Sequence, residues 1–300
     1  MSTTKQGILF ALGAFIIWGI FPVYLKCLEH IPAGEILAYR IIWSAVFMGI
    51  LISLTKSWKK VWEVLHHPKT VLTLTITALL IASNWLIYIY AVNNKYMLEA
   101  SLGYFINPLV NVLLGVLFLK ERMRRTQWIA VALAATGVFI QLWTLGSLPL
   151  IALGLAFSFG TYGLIRKKLA VDGQSGLMIE TVLLTPLALA YLIFLVNGAW
   201  ENFSGNISTT LLLMGTGIVT SVPLLFFNGA ATRLRLSTLG FFQYLSPTIV
   251  FLLAVLVYGE HITLSRIITF AFIWTALGLF VADAIYTQKR LLQSNAGYRY

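Results

Sequence analysis

Arg40 carries the sharpest chemistry in the chain. It interrupts a run, 36–55, that holds no other charged residue. A guanidinium presents a rigid planar fork of donors that matches a carboxylate or a phosphate. At a bilayer centre it costs about 2.5–3.5 kcal/mol even on the lenient insertion scale, so it is expected to face protein or a wet cavity. Two readings stand. Arg40 holds an anionic group of a solute, or it reaches toward the interface and pairs with Glu35, about 7.5 Å away along a helix axis. Glu180 is likewise alone in 173–200. A buried carboxyl could carry a coupled proton, or it could pair with Arg166 or Lys167.

Uncharged polar and aromatic residues in the same apolar runs extend the set. Asn84, Asn107, Asn111, Asn228 and Gln243 can hydrogen-bond a solute, or they can tie helices together at about 0.6 kcal/mol each. Trp18, Trp85, Tyr88, Tyr104, Tyr162, Phe241 and Tyr244 suit a cavity wall for flat or amphipathic solutes, held by stacking and cation–π contact, or plain packing. Gly103 with Pro108, and Gly240 with Pro247, form two matching Gly/Pro segments.

Other chemistry lacks its residues. No Gly-x4-Gly-Lys-Ser/Thr loop is present, so nothing points to nucleotide-driven pumping. His30, His66, His67 and His261 fall near loops, and none pairs with a carboxylate at i, i+3 or i, i+4 spacing within a span, so no metal site or cofactor is expected. No serine sits in a Gly-x-Ser-x-Gly turn. Asn202-Phe-Ser and Asn206-Ile-Ser match the glycosylation pattern, which is short and weak.

The elements that must position these residues follow from composition. Of 300 residues, 59% are apolar and 10% charged, with a mean hydropathy of +0.87. Ordinary soluble domains are about 25% charged, so a soluble globular domain is excluded, as is disorder. Cys27 is the single cysteine, which excludes a disulfide scaffold. Charges bracket ten runs near the 20 residues a spanning helix needs: 7–25, 34–55, 71–92, 99–119, 127–145, 148–166, 175–196, 210–232, 237–258 and 264–285. They are apolar all round, unlike the alternating strands of a membrane barrel. The first is too long for a signal-peptide core and is kept as a span. An all-α, ten-helix membrane protein is expected.

Ten spans place both termini on one side. There fall Lys5, Lys56, Lys59, Lys60, Lys69, Lys120, Arg122, Arg124, Arg125, Arg166, Lys167, Lys168, Arg233, Arg235, Lys289, Arg290 and Arg299, against Lys26, Lys95 and Arg266 opposite. Cationic loops stay cytoplasmic, so both termini are expected inside. This asymmetry accounts for the net charge of +11 without nucleic acid.

The two halves repeat. Gly13, Gly19 and Lys26 match Gly154, Gly160 and Lys167; Leu102-Gly103-Tyr104-Phe105 matches Leu239-Gly240-Phe241-Phe242; Pro108 and Glu121 match Pro247 and Glu260. Expected units are 1–145 and 146–286, each of five spans, with a short cytoplasmic tail at 287–300. An odd span number inverts the second half. That is the inverted-repeat plan of secondary transporters, in which paired Gly/Pro-interrupted helices mark the site. Spans four and nine are expected to be so interrupted.

Glu99-Ala-Ser-Leu-Gly-Tyr-Phe-Ile-Asn-Pro-Leu109, Tyr162-Gly-Leu-Ile-Arg-Lys167, Thr220-Ser-Val-Pro-Leu-Leu-Phe-Phe-Asn-Gly-Ala-Ala231 and Leu239-Gly-Phe-Phe-Gln-Tyr-Leu-Ser-Pro247 resemble the RarD branch of the EamA-type drug/metabolite transporters. The resemblance runs from Gly7 to about Asp283. It implies a ten-helix bacterial inner-membrane carrier of two inverted halves, with a cavity between them and the fifth and tenth helices peripheral. It implies transport of small metabolites, amino acids or drugs, not catalysis. Partners are then a small-molecule solute, the lipid bilayer and, for coupling, a proton or sodium ion; oligomeric state, substrate and direction stay open. The rival readings are a lipid-modifying membrane enzyme, which would need a nucleophile or metal cluster, and a channel or receptor scaffold.

Overall fold

A backbone in lipid has no water to bond, so long apolar runs must close their own hydrogen bonds as helices. The computed structural model describes residues 3–93, 96–145, 149–169, 171–196, 203, 205–257, 259 and 264–297, and among them there is helix and no strand. The helices are α1 (Thr3–Lys26), α2 (Ala33–Leu54), α3 (Trp58–Leu65), α4 (Pro68–Asn93), α5 (Met97–Leu119), α6 (Arg125–Leu145), α7 (Leu150–Lys168), α8 (Gly173–Phe194), α9 (Ile207–Ala231), α10 (Leu236–Gln243), α11 (Leu245–Leu256) and α12 (Leu264–Gly297). Among the described residues, nine spans are long and apolar enough to cross a membrane, α10 and α11 counting as one. The tenth is α7, whose last turn carries Arg166, Lys167 and Lys168.

Three features depart from the expected spans. The short α3 fills the loop after α2 and buries Val61 while Trp58 and Trp62 stay exposed; eight residues are too few to register as a run. Span nine is broken at Tyr244, where Pro247 cannot donate to the Gln243 carbonyl. Span four is not broken: α5 runs through Pro108. Its counterpart α10 packs directly against that turn, Gly240 facing the Pro108 carbonyl. The last helix also continues past 285, to Gly297.

Packing across the bundle follows a two-fold pattern. Helix α1 lies on α9 as α7 lies on α4; α11 lies on α1 as α5 lies on α7; and α2 with α8, α5 with α10 and α6 with α12 meet as matched pairs. Helices α6 and α12 pack chiefly on each other, joined where the Thr269 hydroxyl donates to the Gly137 carbonyl at 3.2 Å. Large apolar side chains such as Leu54, Trp143 and Phe194 point outward. The interior is instead rich in small residues, with Ala11, Ala14, Ala134, Ala156, Ala230 and Ala231 fully buried. Lipid-embedded helices gain little from burying apolar surface, so small residues that admit close approach take over.

Two such approaches join the halves at the matching Gly/Pro segments. A Cβ on Gly240 would stand 2.7 Å from the Pro108 carbonyl oxygen, and one on Gly103 would stand 3.2 Å from the Ala152 carbonyl oxygen. Overpacking costs about 1–3 kcal/mol, and backbone cannot swing aside. Gly240→Ala is therefore expected to lower the unfolding midpoint of the detergent-solubilised protein by several degrees, and Gly103→Ala by clearly less; melting curves of both variants check the order.

Candidate functional site

A cavity of about 920 Å³ lies between the two sets of five spans. Its wall comes from the C-terminal halves of α1, α4 and α6, the N-terminal halves of α2, α5, α7 and α12, the middle of α9, and α10–α11. All of this lies at the end of the bundle holding the α1–α2, α4–α5, α6–α7 and α11–α12 connections. Ten of the sequence candidates line it: Trp18, Arg40, Asn84, Trp85, Tyr88, Gly103, Tyr104, Asn107, Gln243 and Pro247.

Arg40 stands about two turns into α2. Its Nε donates to Thr220 Oγ1 at 2.9 Å, and its guanidinium carbon lies 5.0 Å from the Phe21 ring centre and 4.8 Å from that of Trp85. Glu35 is not its partner among the described residues. Five helical residues turn about 140°, which sends the two side chains to different faces. Tyr88 and Tyr104 meet edge to face beside it, with centroids 6.2 Å apart. Asn84 Nδ2 donates to the Leu155 carbonyl at 2.8 Å and to Ser158 Oγ at 2.9 Å, which pins α4 to α7. Gln243 Oε1 accepts from Asn111 Nδ2 at 2.7 Å across α5 and α10.

Eight candidates lie outside the cavity wall, Asn111 and Tyr244 among them. Pro108 lies beneath α10 at the Gly240 crossing, and Phe241 stacks on Phe280 at 4.0 Å. Tyr162, Glu180 and Asn228 meet in a separate buried cluster. There Glu180 accepts from Thr77 Oγ1 at 2.5 Å and from the Tyr162 hydroxyl at 3.4 Å, and Asn228 Nδ2 donates to the Tyr162 oxygen at 3.2 Å. Arg166 faces Glu180 with 3.7 Å between Nε and Oε1, and the two side chains are 2% and 1% exposed. That distance is an ion pair and too long for a hydrogen bond.

Between cavity and cluster stands an aromatic floor. Phe227 lies 5.8 Å from Trp18, 5.0 Å from Phe159 and 6.2 Å from Tyr162. Phe15 closes it, 5.5 Å from Trp18. Beyond the cluster, polar ties seal the far end of the bundle. Glu121 takes the Leu236 and Ser237 amides of the α10 N-terminus at 2.6 and 2.9 Å, where a helix dipole favours a carboxylate. Lys167 Nζ donates to the Ala231 carbonyl at 2.9 Å and to that of Leu234. Arg235 donates to the Arg122 carbonyl at 3.0 Å, and Arg124 pairs with Asp283.

Several wall residues carry no sequence signal. Thr220 is one threonine among many, and Phe15, Phe21 and Phe159 look like packing until the rings meet. Glu121 reads only as a repeat marker, although it joins the two halves; its counterpart Glu260 lies outside the described residues, as does the Asn202 sequon. Asn206 serves as the N-cap of α9, its side chain accepting from the Ser208 amide at 2.9 Å.

A model of the EamA-like transporter family matches the chain twice, over residues 5–143 and 147–282. A protein named RarD from Salmonella typhi is 57% identical over 288 residues, covering 96% of this chain and 98% of that one. A Vibrio cholerae protein named as an uncharacterised transporter is 54% identical, covering 94% and 93%. A solved crystal structure with 19% identity superposes with a TM-score of 0.68 over 93% of this chain and 98% of its own, a likeness of fold.

The buried Arg166–Glu180 pair can be tested apart from the cavity. Removing one partner of a buried pair leaves an uncompensated charge and costs about 3–5 kcal/mol, whereas apolar replacement of both is often neutral. Glu180→Leu and Arg166→Met should each lower the melting temperature markedly, and the double variant should recover most of the loss. A double variant as unstable as the sum of the singles would remove the pairing from the account.

Proposed function

The chain belongs to the EamA-like transporter family, and we propose that it is a bacterial inner-membrane secondary transporter that moves small metabolites or amphipathic drug-like compounds by alternating access. The observation that carries the reading is the 920 Å³ cavity walled by matching spans of both halves. Its volume lies in the range of about 300–1,000 Å³ usual for small-molecule sites. The units 1–145 and 146–286 are the two inverted repeats, a division supported by the double match to the family model. Broken helices facing a midplane site are the usual hardware of such carriers, and the Tyr244 break stands at this cavity's wall.

Direction follows from charge. The sealed end of the bundle bears the clusters around Lys56, Lys120, Arg166 and Arg233, and cationic loops stay in the cytoplasm. Both termini are then cytoplasmic, and the cavity faces the other side. In this outward-facing state the ties of Glu121, Lys167, Arg235 and Arg124 form the inner gate. Turnover opens them and closes the cavity from outside, driven by the solute's own gradient or by a coupled proton or sodium ion. Glu180 serves as scaffold in this state, matched by Arg166.

The test is solute counterflow in proteoliposomes preloaded with a bacterial metabolite extract and read by mass spectrometry. The wild-type protein should exchange a small set of solutes. Ala254→Trp, which fills the cavity wall, should abolish that exchange at equal reconstitution. Exchange absent in the wild type, or unchanged by the tryptophan, contradicts the proposal.

A further inference from the structure

We infer that the cavity selects organic monoanions: carboxylic acids with a flat, largely apolar body. The inference rests on the transport reading of the same cavity and names its solute class.

Three observations carry it. First, the Arg40 fork is left over. Within the protein its guanidinium donates through Nε to Thr220, and neither Nη has an acceptor among the described residues. Thr220 fixes the rotation of the group while the end-on pair of nitrogens stays open toward the space it lines. A carboxylate takes two parallel N–H···O bonds from such an edge. Second, the charge meets no counter-charge among the described lining residues. None of the described lining residues is Asp or Glu, and among them the cation is supported by Thr220 and by the Phe21 and Trp85 rings. Ring contact replaces only part of the hydration that a cation gives up in an apolar layer. An anion completes it; a neutral solute leaves it short and a cation is repelled. Third, much of the rest of the wall is apolar and aromatic, with Phe15, Trp18, Trp85, Phe159, Phe251 and Phe270 among its residues. Those rings suit a planar, largely apolar body. Asn107 adds an acceptor, since its buried Oδ1 has no hydrogen-bond partner, and an N–H or O–H on the solute would satisfy it.

One guanidinium turned to the interior argues for a single negative charge. The other lining cation, Arg266, already interacts within the protein. Dianionic phosphate esters would therefore bring one charge too many.

The experiment compares matched probes on the purified full-length protein by isothermal titration calorimetry. The acids are 3-phenylpropionate, indole-3-propionate and N-acetylphenylalanine; the controls are their primary amides, 3-phenylpropylamine and phenyl phosphate. At least one acid is expected to bind tenfold or more tightly than its amide, with the amine silent and phenyl phosphate weaker than the acids. Arg40→Ala should erase the preference for acid over amide. Arg40→Lys should keep part of it, because charge remains and the fork is lost. Thr220→Val, which removes the anchor and conserves volume, should narrow it severalfold even if Arg40→Ala does not fold. Amides binding as well as acids, no acid binding at millimolar concentration, or a preference that survives Arg40→Ala would overturn the inference. Failure of the transport reading looks different: acids bind with Arg40-dependent preference but show no counterflow. Counterflow limited to neutral or cationic solutes overturns the inference and leaves transport intact.

Discussion

A cation inside an apolar layer must be solvated by something, and the cavity end of this protein is organised around that demand. Arg40 is half-buried on α2, at the wall of the cavity. Thr220 of α9 supplies one acceptor, and Phe21 of α1 and Trp85 of α4 supply ring faces. Those contacts bring four spans, from both halves, to one point. The remaining solvation is left to whatever enters the cavity. A side chain costly enough to require such support, yet not fully supported, is better explained as a binding group than as a fastener.

The opposite end solves the same problem differently. Arg166 is also buried, but its carboxylate partner is part of the protein, and Thr77 and Tyr162 complete the Glu180 shell. The pair is enclosed, with both side chains almost fully buried. An aromatic floor of Phe15, Trp18, Phe159 and Phe227 divides the open chemistry from the closed. Below it, Glu121 and Lys167 tie helix ends together through bonds that are few and polar, so they can be exchanged at modest cost. Small residues and backbone contacts hold the rest, since lipid offers little hydrophobic drive to helix association.

How much of this was legible in the chain depends on what each residue type can announce. Apolar runs bracketed by charge announce spans, because a charge in lipid is expensive wherever it falls. Arg40 announced itself for the same reason. The Glu35 pairing failed because spacing along a helix also fixes rotation, and five residues is the wrong turn. Glu180 raised the same alarm as Arg40, but its partner sits on another helix and could be named only as one of two nearby cations. Thr220 and the aromatic floor were illegible: each is ordinary alone and acquires a role only from its neighbours across the bundle. The matching Gly/Pro segments were legible as a pair, but not their difference. Only Pro247 accompanies a break, while Pro108 lies against α10 at Gly240.

The central claim is that one cavity is exposed to the two sides of the membrane in turn. Cys27 is the single cysteine, so a Cys27→Ser background permits one reporter thiol in the wall, at Val250. Labelling by a membrane-impermeant maleimide would be measured in right-side-out and inside-out vesicles. The account predicts labelling from both sides, with added solute shifting the ratio of the two rates. Labelling from one side only, unchanged by solute, would contradict it.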